Sequence, residues 1–296
     1  MDKLIHAVAE GGTVRIIAAV TTETVAEAVQ RHGTSPTASA ALGRTLTGTL
    51  LLGASFKEFD RLTVRIDSDG PIGGIVAESV PAGTVRGYVK NTQADSPLRD
   101  DGKFDVAAVV GNGTFYVIRE SGFEMGLHKD PYIGSVPLVS GEIAEDFASY
   151  LVNSEQIPSA VMLGVLLQNE KPFVKAAGGV MVQMMPGANE NVITMIDDTI
   201  RHAPQVTTAV AEGATAEDLI KLVLGLIDYK ILTEDDIGFA CNCSFERAVS
   251  LVTALGKQEV KDMLETDGGA VMDCGFCGEE YRLDSADLEK ILLDID

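Results

Sequence analysis

Between Thr13 and Thr22 the chain runs through Val14, Ile16, Ile17 and Val20, a β-branched stretch that predicts a strand leading into a helix around Glu23 to Arg31. Ser35-Pro36 then opens the segment TASAALGRTLTGTLLLGASF, where a Ser-Pro start and many small residues predict a buried, closely packed structural helix. From Leu62 to Asn91 β-branched residues alternate, with breaks at Asp69-Gly70-Pro71 and Gly73-Gly74, which predicts a hairpin and a third strand. A further hairpin is expected across Val106 to Ile118, turning at Gly111-Asn112-Gly113. A helix near Gly141 to Val152 and strands over Ala160 to Leu167 and Pro172 to Met185 follow, the last ending at Pro186-Gly187. Beyond that break Val192, Ile196 and Ile200 repeat at helical spacing, and Thr215 with Asp218 resembles a capping pair ahead of Leu219, Ile220, Val223 and Leu226.

This succession predicts an α+β protein. An N-terminal domain with a mixed or antiparallel sheet and helices (1–186) is followed by a helical linker (187–235) and a small C-terminal domain (236–296), where all 4 cysteines lie and make it the expected zinc-binding domain. The glycines fail the dinucleotide-binding spacing and read as turns. A chain of 296 residues has room for one sizeable core and one or two smaller units. With 46% hydrophobic and 23% charged residues, long disordered stretches are not expected.

Charge narrows the partners. Against 23 basic residues stand 44 acidic ones, a formal charge of −21 that repels phosphate backbones and anionic lipid heads. No local basic patch offsets it, so neither nucleic acid nor membrane is an expected partner. The terminus MDKLIHAVAEGG lacks the apolar core of a secretory signal, and the apolar stretch from Ile157 to Gln168 is too short to span a bilayer. The expected compartment is the cytoplasm.

All 4 cysteines fall near the C-terminal end, as Cys241-Asn242-Cys243 and Cys274-Gly275-Phe276-Cys277, with residues 244 to 273 between them. In a reducing compartment clustered thiols serve as metal ligands or redox groups more often than as permanent cross-links. Each pair presents two sulfurs to one ion, and four thiolates suit tetrahedral zinc, one per chain. Gly275 and Gly278 would let the backbone wrap tightly. The core of so small a unit is thin, so metal binding would supply much of its folding free energy. From spacing alone the site is either permanently structural or a switch. Bound thiolates remain oxidisable, and a C-x-C disulfide should be strained and easily reduced again. A thioredoxin-like oxidoreductase needs its C-x-x-C at the start of a helix after a strand, whereas Cys277 leads into Gly278-Glu279-Glu280-Tyr281, a turn and short strand.

At these residues the sequence resembles the heat-shock protein 33 family of redox-regulated 33 kDa chaperonins. The likeness extends to Gly33–Gly53, Asp69-Gly70-Pro71, the YLVNSEQIP of Tyr150–Pro158, Gly178-Gly179 with Gln183 and Pro186, and Cys243-Ser244-Phe245-Glu246-Arg247. The resemblance implies a holdase, not an enzyme, that is inactive when reduced and zinc-bound. Oxidation would form disulfides Cys241–Cys243 and Cys274–Cys277 and release zinc, and the C-terminal domain and linker would lose order. Apolar surface would then be free for unfolded client proteins. The active form would be a homodimer, and no ATP is needed, in keeping with the absence of a Walker A motif. The bistable element would be the middle segment, where Thr194, Val206, Thr207 and Thr208 are modest helix formers. The different-class reading is a constitutive binding protein with a purely structural zinc site.

Other candidates read as structure. His6, His32, His128 and His202 share no ligand spacing. Glu142, Glu145 and Asp146 read as a solvated helix face, and Met181, Met184 and Met185 as packing.

Overall fold

The computed structural model describes residues 1–56, 58–121, 130–171 and 173–295. Its first two strands, β1 (Lys3–Ala9) and β2 (Val14–Val20), pair antiparallel from Lys3 opposite Val20 to Ala9 opposite Val14. Strand β2 is buried on both faces, Ile16, Ile17, Ala18 and Ala19 all fully, which is why its sequence is a continuous apolar run. Helix α1 (Thr22–His32) begins where Asp2 accepts hydrogen bonds from the amides of Glu23 and Thr24, at 3.2 and 2.7 Å. It ends on Gly33 in the left-handed conformation, φ 58°.

Helix α2 (Pro36–Ser55) has the Ser35 N-cap and first-turn proline that the sequence announced, and it is buried from Thr37 to Gly53 apart from Arg44. Small residues are needed there. A Cβ on Gly48 would fall 2.5 Å from the Phe147 ring, and one on Gly43 would fall 2.6 Å from Val25.

Strands β3 (Arg61–Ser68), β4 (Ile75–Ser79) and β5 (Thr84–Val89) form the expected antiparallel meander. The next expected hairpin is not one. Residues Val106–Val110 form a short helix, α3, capped by the Asp105 side chain at the amide of Ala108, 3.0 Å. Only β6 (Gly113–Glu120) is a strand, and it pairs with β3. A five-residue apolar run has no period that separates helix from strand. Here Val106, Val109 and Val110 share the buried face at helical spacing. Strand β7 (Tyr132–Pro137), helix α4 (Ala144–Asn153) and strands β8 (Ser159–Leu167) and β9 (Val174–Met184) follow.

Three helices come next, α5 (Glu190–His202), α6 (Val206–Ala211) and α7 (Ala216–Leu224). The expected helical character stops there. Tyr229–Asp236 is a strand, β10, paired antiparallel with β1 from Tyr229 opposite Ala9 to Asp236 opposite Lys3. All but Tyr229 of its side chains are exposed, so backbone pairing at a sheet edge holds it and no hydrophobic alternation marks it. Gly238–Phe239, β11, then runs parallel to β5.

The strands make a five-stranded sheet in the order β10-β1-β2-β9-β8 and a six-stranded sheet in the order β11-β5-β4-β3-β6-β7. Helix α2 lies between them, touching β2, β8 and β9 on one side and β3, β4 and β5 on the other. The opposite face of the five-stranded sheet is a second apolar layer. Ile5, Ile16, Ala18, Val180 and Val182 are covered there by Val192 and Ile196 of α5, Val206 of α6 and Leu219, Ile220 and Val223 of α7. The fold is α+β, as the order of elements predicted.

Contacts divide the chain into two compact units, residues 1–240 and 241–296. The second contains α8 (Phe245–Ala254), α9 (Lys257–Thr266), the hairpin β12 (Ala270–Asp273) with β13 (Glu280–Leu283), and α10 (Ser285–Asp294). Its core is small, built on Ala248, Val252, Val260, Leu283, Leu288 and Ile291.

Candidate metal centre

Cys274 and Cys277 sit on the tip between β12 and β13. The amides of Cys277 and Gly278 donate to the Cys274 carbonyl at 3.2 and 2.8 Å, and the Cys274 amide donates to the Glu279 carbonyl at 2.8 Å. Gly278 takes the left-handed conformation that closes this turn, φ 70°. A Cβ on Gly275, by contrast, would meet nothing within 4 Å. Cys241 and Cys243 lie on the extended segment that ends at Ser244, the N-cap of α8, whose hydroxyl accepts from the Arg247 amide at 3.3 Å.

These two segments bring all four predicted residues together. The four sulfurs lie within 4.8 Å of one another, and no other group of three or more His, Cys, Asp or Glu side chains among the described residues is so arranged. Sγ of Cys241 is 3.7 Å from that of Cys274, and Sγ of Cys243 is 3.4 Å from that of Cys277. A tetrahedron with metal–sulfur bonds of about 2.3 Å has edges of about 3.8 Å, so the spacing suits a zinc-sized ion. All four cysteines are free thiols, with Cys277 buried and the others half-buried.

Burial pushes the Cys277 and Cys274 thiols above their usual values. Amides oppose this, those of Phe276 and Cys277 toward Cys274 and that of Glu279 toward Cys277. Without a cation the buried sulfurs keep their protons, and a divalent ion is what would make them thiolates. The Tyr281 phenol is pushed up first by its hydrogen bond to Cys243 and then by burial.

The other candidates separate. His6 lies on β1, His32 ends α1, and His202 ends α5 with Nδ1 2.8 Å from the Asp198 carbonyl oxygen. His128 falls outside the described residues. Asp146 is no part of a solvated face. It is fully buried and accepts hydrogen bonds from the amides of Val139, Ser140 and Ile143 at 2.8, 3.1 and 3.0 Å. The loop ahead of α4 has no other acceptor for these amides, and local sequence does not reveal that. Glu142 is half-buried and paired with Arg44 at 2.6 Å. Met181 is core, as read. The apolar sheet face beneath α5, α6 and α7 escaped the sequence reading, although the helical spacing of Val192, Ile196, Leu219, Ile220 and Val223 was a trace of the helices that cover it.

No helix among the described residues is long and apolar enough to cross a membrane. The family model described as "Hsp33 protein" matches residues 2–284. Over 291 residues the chain is 46% identical to the 33 kDa chaperonin of Desulforamulus reducens, covering 98% of this chain and 97% of that one. It is 44% identical to the 33 kDa chaperonin of Geobacillus kaustophilus, at the same coverage. The crystal structure of the 33 kDa chaperonin (heat shock protein 33 homolog) of Thermotoga maritima superposes with a TM-score of 0.90 at 35% identity, covering 99% of this chain and 98% of that one.

Proposed function

Because the chain belongs to the Hsp33 family of 33 kDa chaperonins, we propose that it is a redox-regulated, ATP-independent holdase, inactive when reduced and metal-bound. The observation that carries this reading is the four-sulfur cluster within 4.8 Å. It sits in a unit whose own core is too thin to make it independent of a cross-link. Cys241, Cys243, Cys274 and Cys277 would hold one zinc ion. Bound there, zinc supplies the cross-link between the C-x-C segment and the hairpin and keeps the four sulfurs deprotonated.

Activation is oxidation by a peroxide. One thiolate attacks the peroxide oxygen, the O–O bond breaks, and a sulfenic acid and a hydroxide result. The second thiolate of the pair displaces the sulfenic hydroxide and forms the disulfide. Each disulfide thus reduces one peroxide by two electrons. The proposed pairs are Cys241–Cys243 and Cys274–Cys277. Once the cluster is lost and unit 241–296 loosens, residues two or three apart meet more often than residues more than thirty apart.

Loss of order then spreads to α5, α6 and α7 and bares the apolar face they cover, which takes up unfolded clients. Helix α6 is the weak member of the cover, with Val206 its one buried residue. The proposed setting is the cytoplasm, where thiols are kept reduced, and the proposed active form is a homodimer. The net charge of −21 disfavours nucleic-acid and membrane partners and keeps a protein with bared apolar surface dispersed.

The test follows zinc release with a chromogenic chelator during peroxide treatment at raised temperature, with aggregation of an unfolding client read by light scattering. Release of about one zinc per chain, together with suppressed aggregation and reversal by thiol reductant plus zinc, supports the switch. Zinc retained, or released with no gain in protection, identifies a constitutive binding protein with a structural site.

A further inference from the structure

Asn242 separates the two sulfurs of the C-x-C segment, and its carbonyl oxygen accepts a hydrogen bond from Nη1 of Arg247 at 2.8 Å. Arg247 is held at both ends. Its own amide is bonded to the Ser244 hydroxyl in the first turn of α8, while its guanidinium reaches back over the segment that precedes the helix.

The charge around the site gives this contact a second role. Residues 241–296 include thirteen acidic and five basic side chains, and four thiolates around a divalent cation would add two further negative charges. Arg282 is paired with Glu280, Lys261 with Glu265, and Lys257 with the Ile295 carbonyl. Arg247 is a cation fixed against the segment that carries two of the sulfurs.

We propose that Arg247 is a positioning residue that clamps the Cys241-Asn242-Cys243 arch in its metal-chelating shape and thereby sets how readily the two sulfurs let go. This rests on the metal reading above and deepens it. Forming the Cys241–Cys243 disulfide brings the two sulfurs to about 2.05 Å and re-aims the Asn242 peptide between them. The guanidinium bond to that peptide opposes the movement, so the clamp must release before the arch can close. The oxidant and electron balance are those given above, one peroxide per disulfide.

The test uses the full-length chain loaded with zinc, or with Co2+ for spectroscopy, and three variants. Arg247→Met keeps the length and loses charge and donor. Arg247→Lys keeps the charge. Ser244→Ala removes the hydroxyl that caps α8 at the Arg247 amide and keeps the guanidinium that reaches the Asn242 carbonyl. In Arg247→Met, zinc transfer to a chelator without oxidant should be about tenfold faster, within the span found for residues that orient metal ligands. Its cobalt–thiolate absorption should shift while the far-ultraviolet circular dichroism of the loaded protein stays unchanged. Arg247→Lys should recover part of the loss, and Ser244→Ala should stay within about twofold of the parent. Equal transfer rates and cobalt spectra for parent and Arg247→Met would overturn the proposal, as would an equal effect of Ser244→Ala, which would assign the whole effect to helix capping. A parent chain that binds no zinc overturns both readings. A parent that binds zinc but gains no client protection on oxidation removes the switch and leaves the clamp standing.

Discussion

Gly164 of β8 and Gly178 of β9 face each other across the five-stranded sheet, and α6 rests on both. A Cβ on Gly164 would lie 2.5 Å from Cγ2 of Thr207, and one on Gly178 would lie 2.8 Å from the Ala19 carbonyl oxygen of β2, with Cγ2 of Val210 in ordinary contact at 3.4 Å. Neither glycine is in the left-handed region, so what they provide is bare backbone, under Thr207 of α6 at Gly164 and against the Ala19 carbonyl of β2 at Gly178. Gly179, next along β9, does the same for the other face, where a Cβ would lie 3.1 Å from Cγ2 of Thr47 on α2.

Replacing Gly164 with Val therefore tests how the apolar face is kept covered. The β-branched side chain suits a strand but collides with Thr207 and should lift α6. We expect the reduced, zinc-loaded variant to bind an apolar dye such as ANS several-fold more strongly than the parent, with its zinc still in place. Unchanged dye binding would show that α6 has another seat.

Cys277→Ser removes the buried sulfur of the cluster. Losing one of four ligands should weaken zinc binding by more than about a hundredfold, beyond the cost of losing a supporting partner. Hydrogen exchange should then show residues 241–295 unprotected while β1, β2 and β9 stay protected. A full zinc equivalent bound by the purified variant would contradict the assignment of this ligand.

Asp146 is predicted to matter for folding, not for client binding. It satisfies three backbone amides, one of them on Ile143, which sits in the left-handed region at φ 75°. Asp146→Ala leaves those amides without an acceptor and should cost about 2–4 kcal/mol in urea unfolding followed by circular dichroism. A loss under about 0.5 kcal/mol would mean that water replaces the carboxylate without penalty.

His6 supplies a pH dependence. Burial, followed by the charge of Arg15, holds its pKa below the usual value of 6.5, with Asp235 opposing. Its Nε2 is buried with no hydrogen-bond partner. A histidine whose folded pKa is depressed contributes stability above its unfolded pKa and loses it as the pH falls through the folded value. Relative to His6→Gln, the parent should thus lose thermal stability progressively on acidification below about pH 6.5. Parallel melting curves for the two proteins from pH 7.5 to 5 would refute this.

Much of this was legible in local patterns. The Thr215–Asp218 pair forms the reciprocal cap expected of it, with the Asp218 amide 3.2 Å from Oγ1 of Thr215 and the Thr215 amide 3.0 Å from Oδ2 of Asp218. Val192 and Ile196, spaced by four, both face the sheet. The small residues of α2 announced a helix packed on every side. These signals survive because caps and periodic faces are made by residues a few positions apart. Strand β10 left no such signal, because its partner β1 lies more than two hundred residues away and its own side chains face solvent. Asp146 was misread for a similar reason, since a carboxylate bound to backbone amides looks, in sequence, like any acid at a helix start.

The cysteine spacing by itself determined that two two-sulfur half-sites exist, because covalent geometry keeps residues two or three apart within reach of one ion. Only the tertiary structure decided that the half-sites meet, with Cys241 beside Cys274 and Cys243 beside Cys277. It also decided which sheet face the middle helices cover. Both outcomes depend on contacts between segments distant in the chain, formed by packing and backbone pairing that no local run of residues encodes.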